Sequence, residues 1–385
     1  MKKIFLTTIT LLSIASASVF GMYGVDTDWI FFLTHGNQFR ARLDQLGFTL
    51  GNDTIKGTFG FDNNMNYGGA YGGLLVDNEP TGKHRSSWVP SISMGIGYTS
   101  SVIGIGVGYS VNIGDQIQKF NGKAESKTVN KSAHTPVLVL NAMDNAFRMA
   151  IPIQVYVNND KFEGGGYNNE MAVSVDSQFR YYTGLDALPQ VRLFLRYGLY
   201  QNESKADKDA KKEKQKYAES FGFDFRLYFG SMVEEVALQP LVKLAYNQAL
   251  GNYHQDTKVE AVKAMNSDYN SYQSGSYGGS VWDLQLMTGL GLTANSDIVS
   301  LYLEPQLGLA VTSRAPIVAT APGTPTPARV TTESYDLVYN VYAEIYITPL
   351  KNLEWYFEAQ LGSGANQNSL VFNGTTGITW YLPAL

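Results

Sequence analysis

Residues 334–348, SYDLVYNVYAEIYIT, divide by parity. Tyr335, Leu337, Tyr339, Val341, Ala343, Ile345 and Ile347 take one set of positions, and Asp336, Asn340 and Glu344 the other. Successive side chains of a strand point to opposite faces, so this segment carries one unbroken apolar face and one polar face. A helix would scatter the same residues around its circumference. The pattern recurs. Val299, Leu301, Leu303, Leu307, Leu309 and Val311 oppose Ser300, Tyr302, Glu304 and Gln306. Phe221, Phe223, Phe225, Leu227 and Phe229 oppose Asp224, Arg226 and Tyr228. Val191, Leu193, Leu195, Tyr197 and Leu199 oppose Arg192, Phe194, Arg196 and Tyr200. Strands are expected at 54–61, 88–98, 103–113, 135–142, 147–157, 171–182, 190–200, 221–230, 236–246, 282–293, 299–311, 334–348, 353–362 and 370–382.

Many of these segments run to a dozen residues or so, longer than the roughly 5–6 usual in soluble sheets. They suit the roughly 9–11 residues that a tilted membrane strand needs, with overhang. The connections alternate: short at 99–102, 142–146, 184–189, 230–235, 295–298 and 349–352, long and polar at 62–86, 114–133, 158–169, 202–216, 248–278 and 313–332. Short turns at one end and long loops at the other are the arrangement of bacterial outer-membrane barrels. The expected fold is therefore all-β: a transmembrane outer-membrane β-barrel of about 14 antiparallel strands, with long extracellular loops and short periplasmic turns. A soluble β-sandwich or surface-layer protein is the rival architecture. Pro90, Pro136, Pro152, Pro240 and Pro305 stand against the barrel, because each lacks the N–H that a closed ladder uses. The ending Leu-Pro-Ala-Leu after Tyr381 is also unusual for a barrel, many of which finish on an aromatic residue.

The N-terminus MKKIFLTTITLLSIASASVFG has two lysines, a short apolar run and small residues, the layout of a secretory signal peptide cleaved after Ala17 or Gly21. This divides the chain into a signal peptide at 1–21, a periplasmic segment at 22–53 and a barrel at 54–385. In the middle segment Phe39, Leu43 and Leu46 match a helical face, with Gly47 as its stop. Beyond the signal no apolar run reaches the 18 residues of a membrane helix, and mean hydropathy is −0.14. A barrel shares this property, since its inner residues dilute its lipid-facing ones. The net charge of −5 argues against nucleic acid as a partner, and the absence of cysteine excludes a disulfide framework.

Nothing in the sequence assembles a reaction centre. The four histidines (His35, His84, His134 and His254) are far apart, and no HExxH, GxSxG or phosphate-loop motif occurs. His134 at a strand boundary could serve a rim hydrolase, but a lone His there is usually solvated. Asp62-Asn63-Asn64 and Asn158-Asn159-Asp160 offer oxygen ligands without the spacing of a calcium loop, so turn chemistry explains them better. No enzyme activity and no cofactor are expected.

The inward parity is more informative. Arg148, Arg180, Arg192, Arg196, Arg226 and Lys243 would line one wall, with Asp176 and Asp224 among them. Asp283, Glu304, Asp336, Glu344, Glu354 and Glu358 would line the facing one. Across a water-filled lumen this segregation makes a transverse field that orients dipolar solutes. Alternatively, the charges pair across a narrow interior filled by Tyr156, Tyr182, Tyr200, Tyr228, Tyr302 and Tyr346. The charged run 203–216 reads as a solvated, mobile loop, and the Tyr/Ser/Gly-rich 266–279 as an adaptable contact surface.

The block WIFFLTHGNQFRARLDQLGFTLGNDTIKGTFGFDNN (29–64), with SASVFGMYG before it, resembles the variable surface proteins of spirochaete outer membranes, Brachyspira-type surface antigens. The resemblance implies an outer-membrane location, variation concentrated in the loops, and no catalytic residues. The expected function is a surface antigen with porin-like diffusion of small polar solutes. The alternative is an adhesin whose loops bind a host ligand while the barrel anchors them. Expected partners are outer-membrane lipid, further copies of the chain, and a host ligand or antibody at the loops.

Overall fold

The computed structural model describes residues 46–52, 54–63, 90–114, 118–121, 125–128, 130–162, 164–233, 236–250, 282–314, 332–350, 353–363 and 370–380. The strands are β1 (Leu46–Gly51), β2 (Ile55–Asn63), β3 (Pro90–Thr99), β4 (Ile103–Ile113), β5 (Gln118–Asn121), β6 (Glu125–Thr128), β7 (Lys131–Ala142), β8 (Phe147–Phe162) and β9 (Tyr167–Leu185). They continue with β10 (Leu188–Lys205), β11 (Glu213–Tyr228), β12 (Ser231–Val233), β13 (Val236–Ala249), β14 (Trp282–Asn295), β15 (Val299–Arg314), β16 (Thr332–Leu350), β17 (Leu353–Ser363) and β18 (Leu370–Trp380). All belong to one antiparallel sheet.

Fourteen strands are long and follow one another up and down: β2 to β4, β7 to β11 and β13 to β18. β4 pairs directly with β7, and β11 with β13, so β5, β6 and β12 are short additions to this meander. The fourteen coincide with the segments that parity marks out. No register joins β18 to β1 or β2 among the described residues.

The sheet starts earlier than 54. Leu46–Gly51 is β1, with Gly47 opposite Gly60 in β2, so Leu46 and Gly47 are strand residues and not the end of a helix. Leu46, Phe48 and Leu50 alternate with Gly47, Thr49 and Gly51, which is strand patterning. The signal segment and residues 22–45 lie outside the described residues, as do 251–281, 315–331 and the terminal Leu-Pro-Ala-Leu.

Short polar side chains shape the tight turns. Ser100 Oγ accepts from Val102 N and Ile103 N and donates to Ile103 O. Ser296 repeats this with Ile298 and Val299, and Asn52 Oδ1 accepts from Thr54 N and Ile55 N at 2.9 Å each. These side chains supply the bonds that a two- or three-residue reversal leaves unmade. Gly184 turns β9 into β10 at φ +76°, where a Cβ would be strained.

Two expected loops are mostly strand. β8 runs to Phe162 and β9 starts at Tyr167, so Asn158-Asn159-Asp160 lies in a strand and not in a turn. β10 runs to Lys205 and β11 starts at Glu213, which leaves only 206–212 of the expected mobile loop 202–216 as a connection. The two tips dock on each other, with Lys208 N donating to Gly164 O at 3.0 Å. A bulge separates this extension from the lower part of the hairpin: Tyr200 faces Ala218 but Gln201 faces Lys216, leaving Tyr217 as the extra residue.

The prolines are accommodated by giving up pairing toward one neighbour. Pro305 keeps its place opposite Val341 in β16, while the β14–β15 register lapses between Gly289↔Gln306 and Leu292↔Leu303. Pro152 stays opposite Val137 in β7, while the β8–β9 register lapses between Ala150↔Gln178 and Ile153↔Val175. A missing N–H thus costs one local lapse and leaves the strand intact.

The sheet buries its polar face. Arg192, Arg226, Asp224, Glu304, Glu344 and Glu358 are each at most 3 % exposed. Apolar residues of the opposite parity stand open: Leu286 57 %, Leu309 61 %, Leu337 62 % and Tyr335 72 %. A single sheet buries one face only by curling over it. Tyr302 of β15 interacts electrostatically with Arg192 of β10, four strands away, and with Tyr228 of β11. On a flat sheet β10 and β15 would lie about 19 Å apart at about 4.8 Å per strand, so the walls bend toward each other.

Candidate functional site

Hairpin register decides which charges meet. Arg148 stands opposite Arg180, Arg180 opposite Arg192, Arg192 opposite Arg226, and Arg226 opposite Lys243. Five cations therefore form one row across β8, β9, β10, β11 and β13. The row is bounded by Asn141 in β7 and Met287 in β14. Like charges directly across a ladder repel. For unit charges about 5 Å apart at an effective dielectric of about 20, the repulsion is about 3 kcal/mol per neighbouring pair.

Part of this is offset within the fold. Asp224, two residues from Arg226 and on the same face, accepts from its Nε at 2.8 Å and its Nη2 at 2.7 Å, and lies 3.7 Å from Lys243 Nζ. Arg192 donates to Gln190 Oε1 at 2.7 Å and lies 4.4 Å from the centre of the Tyr228 ring. Arg148 lies 5.0 Å from the Tyr182 ring, and Arg226 5.0 Å from Phe194. Ring faces attract guanidinium groups through their quadrupole. Arg196 stands off the row, directly opposite Asp176, and donates to it at 3.3 Å.

The acidic residues gather on the neighbouring wall. Glu344 and Glu358 are cross-strand neighbours, and Glu304 lies opposite Tyr342. The Tyr342 hydroxyl bonds Glu344 and also reaches Glu358 at 2.7 Å, so one hydroxyl proton serves two carboxylates. The Tyr302 hydroxyl and the Gln306 amide both donate to Glu304. Glu354 is buried in β17 opposite Thr379. Asp283 accepts from Asn247 at 2.9 Å, and Asp336 from Ser334 at 3.1 Å; both are half-buried.

By register the twelve candidate charges thus share the polar face of the sheet, but not as two uniform walls. Five of the cations form a row, three glutamates form a cluster, and Arg196, Asp283 and Asp336 bond neighbouring side chains. Tyr156, Tyr200, Tyr228, Tyr302 and Tyr346 are at most 5 % exposed on the same face. Sequence reasoning did not single out Tyr342, the side chain that ties two of the glutamates together.

On the outer face His134 bonds Ser132 Oγ and the Tyr109 hydroxyl. Phe221, Phe223, Tyr246 and Trp282 form a second outer group near the long-loop end. Trp355 packs on Phe357 near the short-turn end. Among the described residues no group of three His, Asp or Glu side chains has metal-binding geometry.

Comparison with solved structures finds the ferric-catecholate import receptor Fiu from E. coli K12 at TM-score 0.41 and 8 % identity, over 77 % of this chain and 55 % of that one. It also finds the copper transporter OprC at TM-score 0.32 and 10 % identity, over 85 % of this chain and 53 % of that one. The chain spans about half the length of these structures. No curated protein sequence matches it. A family model, by contrast, matches residues 2–381, nearly the whole sequence, and the chain belongs to the Serpulina hyodysenteriae variable surface protein family.

Proposed function

We propose that this surface protein is an outer-membrane β-barrel that holds a set of variable segments at the cell surface. The observation that carries the reading is the inverted dressing of the sheet, with buried arginine and glutamate inside and open leucine, valine and tyrosine outside. A soluble sheet places these groups the other way round, and a contiguous exposed apolar belt is lipid-facing chemistry. Outward aromatic groups near both ends of the strands fit the two membrane interfaces. The export expected from residues 1–21 agrees with this location.

The test is insertion. The chain refolded into lipid vesicles should resist carbonate extraction and migrate differently on gels before and after boiling. Recovery as a soluble periplasmic protein would end the barrel reading.

Porin-like diffusion of small polar solutes draws support from one further observation, the gathering of a cation row and a glutamate cluster on the polar face of the sheet. The buried tyrosines restrict passage to small solutes. Planar-bilayer recording should give discrete conductance steps, and Arg192→Glu with Arg196→Glu should move the reversal potential toward cation preference. Folded protein without steps would leave the barrel as an anchor only. An adhesin role draws support from the docked tips of the β8–β9 and β10–β11 hairpins, which present a firm projecting surface.

A further inference from the structure

The charges of the projecting arm are sorted by face. Register places Lys161 opposite Tyr167 and Tyr167 opposite Lys205; two residues along, Asn169 stands opposite Glu203 and Glu203 opposite Lys214. Gln201 faces Lys216 at the bulge, and Lys212 Nζ lies 3.0 Å from Glu203. All of these share the parity of Leu195, Tyr197 and Leu199, the open apolar face of the sheet. Lys161, Lys205, Lys212, Lys214 and Lys216 thus stand there against two carboxylates, Glu203 and Glu219. The opposite face of the same strand ends carries Asp160, Glu170 and Glu213 and no lysine or arginine among the described residues. An arm that only needs to be solvated has no use for this division, since mixed charge serves equally well on both faces.

The basic face runs directly into the outer aromatic group. Along β11 the outward residues are Lys214, Lys216, Glu219, Phe221 and Phe223, and ring contacts extend from the two phenylalanines through Tyr246 to Trp282. Glu219 joins the two zones, accepting from Lys216 Nζ and from the Tyr197 hydroxyl at 2.7 Å each. Gln201, the partner of Lys216, is four residues beyond Tyr197 on β10. That is about 10 Å in height for strands tilted by about 40°. Apolar, then aromatic, then cationic side chains on one outward face follow the order of hydrocarbon, interface and headgroup in a bilayer.

We propose that the outward face of the arm binds the phosphate-bearing headgroups of anionic lipids in the leaflet around the barrel. Glu203 holds Lys212 and Lys214 at 3.0 and 3.1 Å, and Glu219 holds Lys216, so three ammonium groups stand at fixed spacing with positive charge in excess. Lysine stems lie along apolar surface while their ammonium groups reach the headgroup layer, where each attracts anionic lipid within a Debye length. Contact on this side leaves the acidic face of the arm turned away from the lipid.

The proposal rests on the barrel reading, and its test separates the two. The full chain is refolded into phosphatidylcholine vesicles, its insertion is checked by the gel shift on boiling, and its association with spin-labelled phosphatidylglycerol is compared with that of spin-labelled phosphatidylcholine. Phosphatidylglycerol should be preferred about threefold at low salt, and the preference should fall toward parity in about 0.5 M salt. Lys212→Gln with Lys214→Gln and Lys216→Gln should abolish the preference, and arginine at the same three positions should keep it. Lys161→Gln with Lys205→Gln, which leaves both glutamates their lysines, should lower it by about half. Equal association of the two lipids with the wild type, or a preference unchanged in both glutamine variants, overturns the proposal while an intact gel shift leaves the barrel standing. Dextran sulfate captured by these lysines without any lipid preference gives the face to a free polyanion and overturns it as well. A wild type with no gel shift removes the barrel and the headgroup site together.

Discussion

Replacing Asp224 by asparagine should be among the most damaging isosteric changes in this sheet. Asp224 is 2 % exposed and accepts from Arg226 through two bonds of 2.7 and 2.8 Å, with Lys243 at 3.7 Å. Asparagine keeps the shape but removes the charge, and it turns an N–H donor toward a guanidinium. Each attraction lost is about 4 kcal/mol at roughly 4 Å and an effective dielectric of about 20. Relief of the carboxylate's own desolvation, several kcal/mol, cancels much of that sum. The net loss is then about 3–5 kcal/mol, the usual result of removing one partner from a buried pair. Urea unfolding of vesicle-inserted protein, followed by the gel shift and by tryptophan fluorescence, measures it. Adding Arg226→Met to Asp224→Asn should recover at least half of the loss, because it removes the cation left behind. A single-mutant loss below about 1 kcal/mol, or a double mutant as unstable as the sum of the singles, would refute this account of the row.

Three further outcomes can be checked in the same preparation. Gly289→Ala should cost about 1–3 kcal/mol in urea unfolding, because the new Cβ would sit 2.6 Å from Pro305 O and 2.8 Å from Gln306 Cγ. Tyr342→Phe should cost about 1–3 kcal/mol by leaving Glu344 and Glu358 without their shared donor, and Glu344→Gln in that background should restore part of it. In the projecting hairpin the Tyr167 hydroxyl, with Lys212 and Lys214, holds the Glu203 carboxyl down to about 2. Its contribution is therefore present above the ordinary carboxylate pKa of about 4.5 and fades as pH falls toward 2. Protease access at 206–212 should rise across that window in wild type and show no such step in Glu203→Gln.

Parity alone located all fourteen long strands, because one face of each is apolar and open while the other is polar and buried along most of its length. It failed where both faces meet water. Gln201, Asn202, Glu203, Ser204 and Lys205 continue β10 with no apolar alternation, so composition reads them as loop. β1 was obscured for another reason: Leu46 fits a helical series with Phe39 and Leu43 as well as a strand series with Phe48 and Leu50. The row was legible in principle. Partners in a hairpin lie at equal distances from its turn, and Arg180 and Arg192 are each six residues from 186. Arg192 and Arg226 are each seventeen from 209, across a longer connection whose bulge no composition signals. The Tyr342 bridge was not legible, because it depends on side-chain positions within β16 and on the neighbouring β17 at once.

The bulge at Tyr200 and Gln201 has a consequence for how such a chain can diversify. Below it, Arg192 meets Arg226 in a register that short turns at the opposite end help to fix; above it, the pairing has shifted by one residue. An insertion or deletion in the projecting arm can therefore be taken up at the bulge, without rotating the buried charges onto the open apolar face. Recombination that exchanges tips of unequal length would then act on a part of the molecule mechanically uncoupled from its foundation.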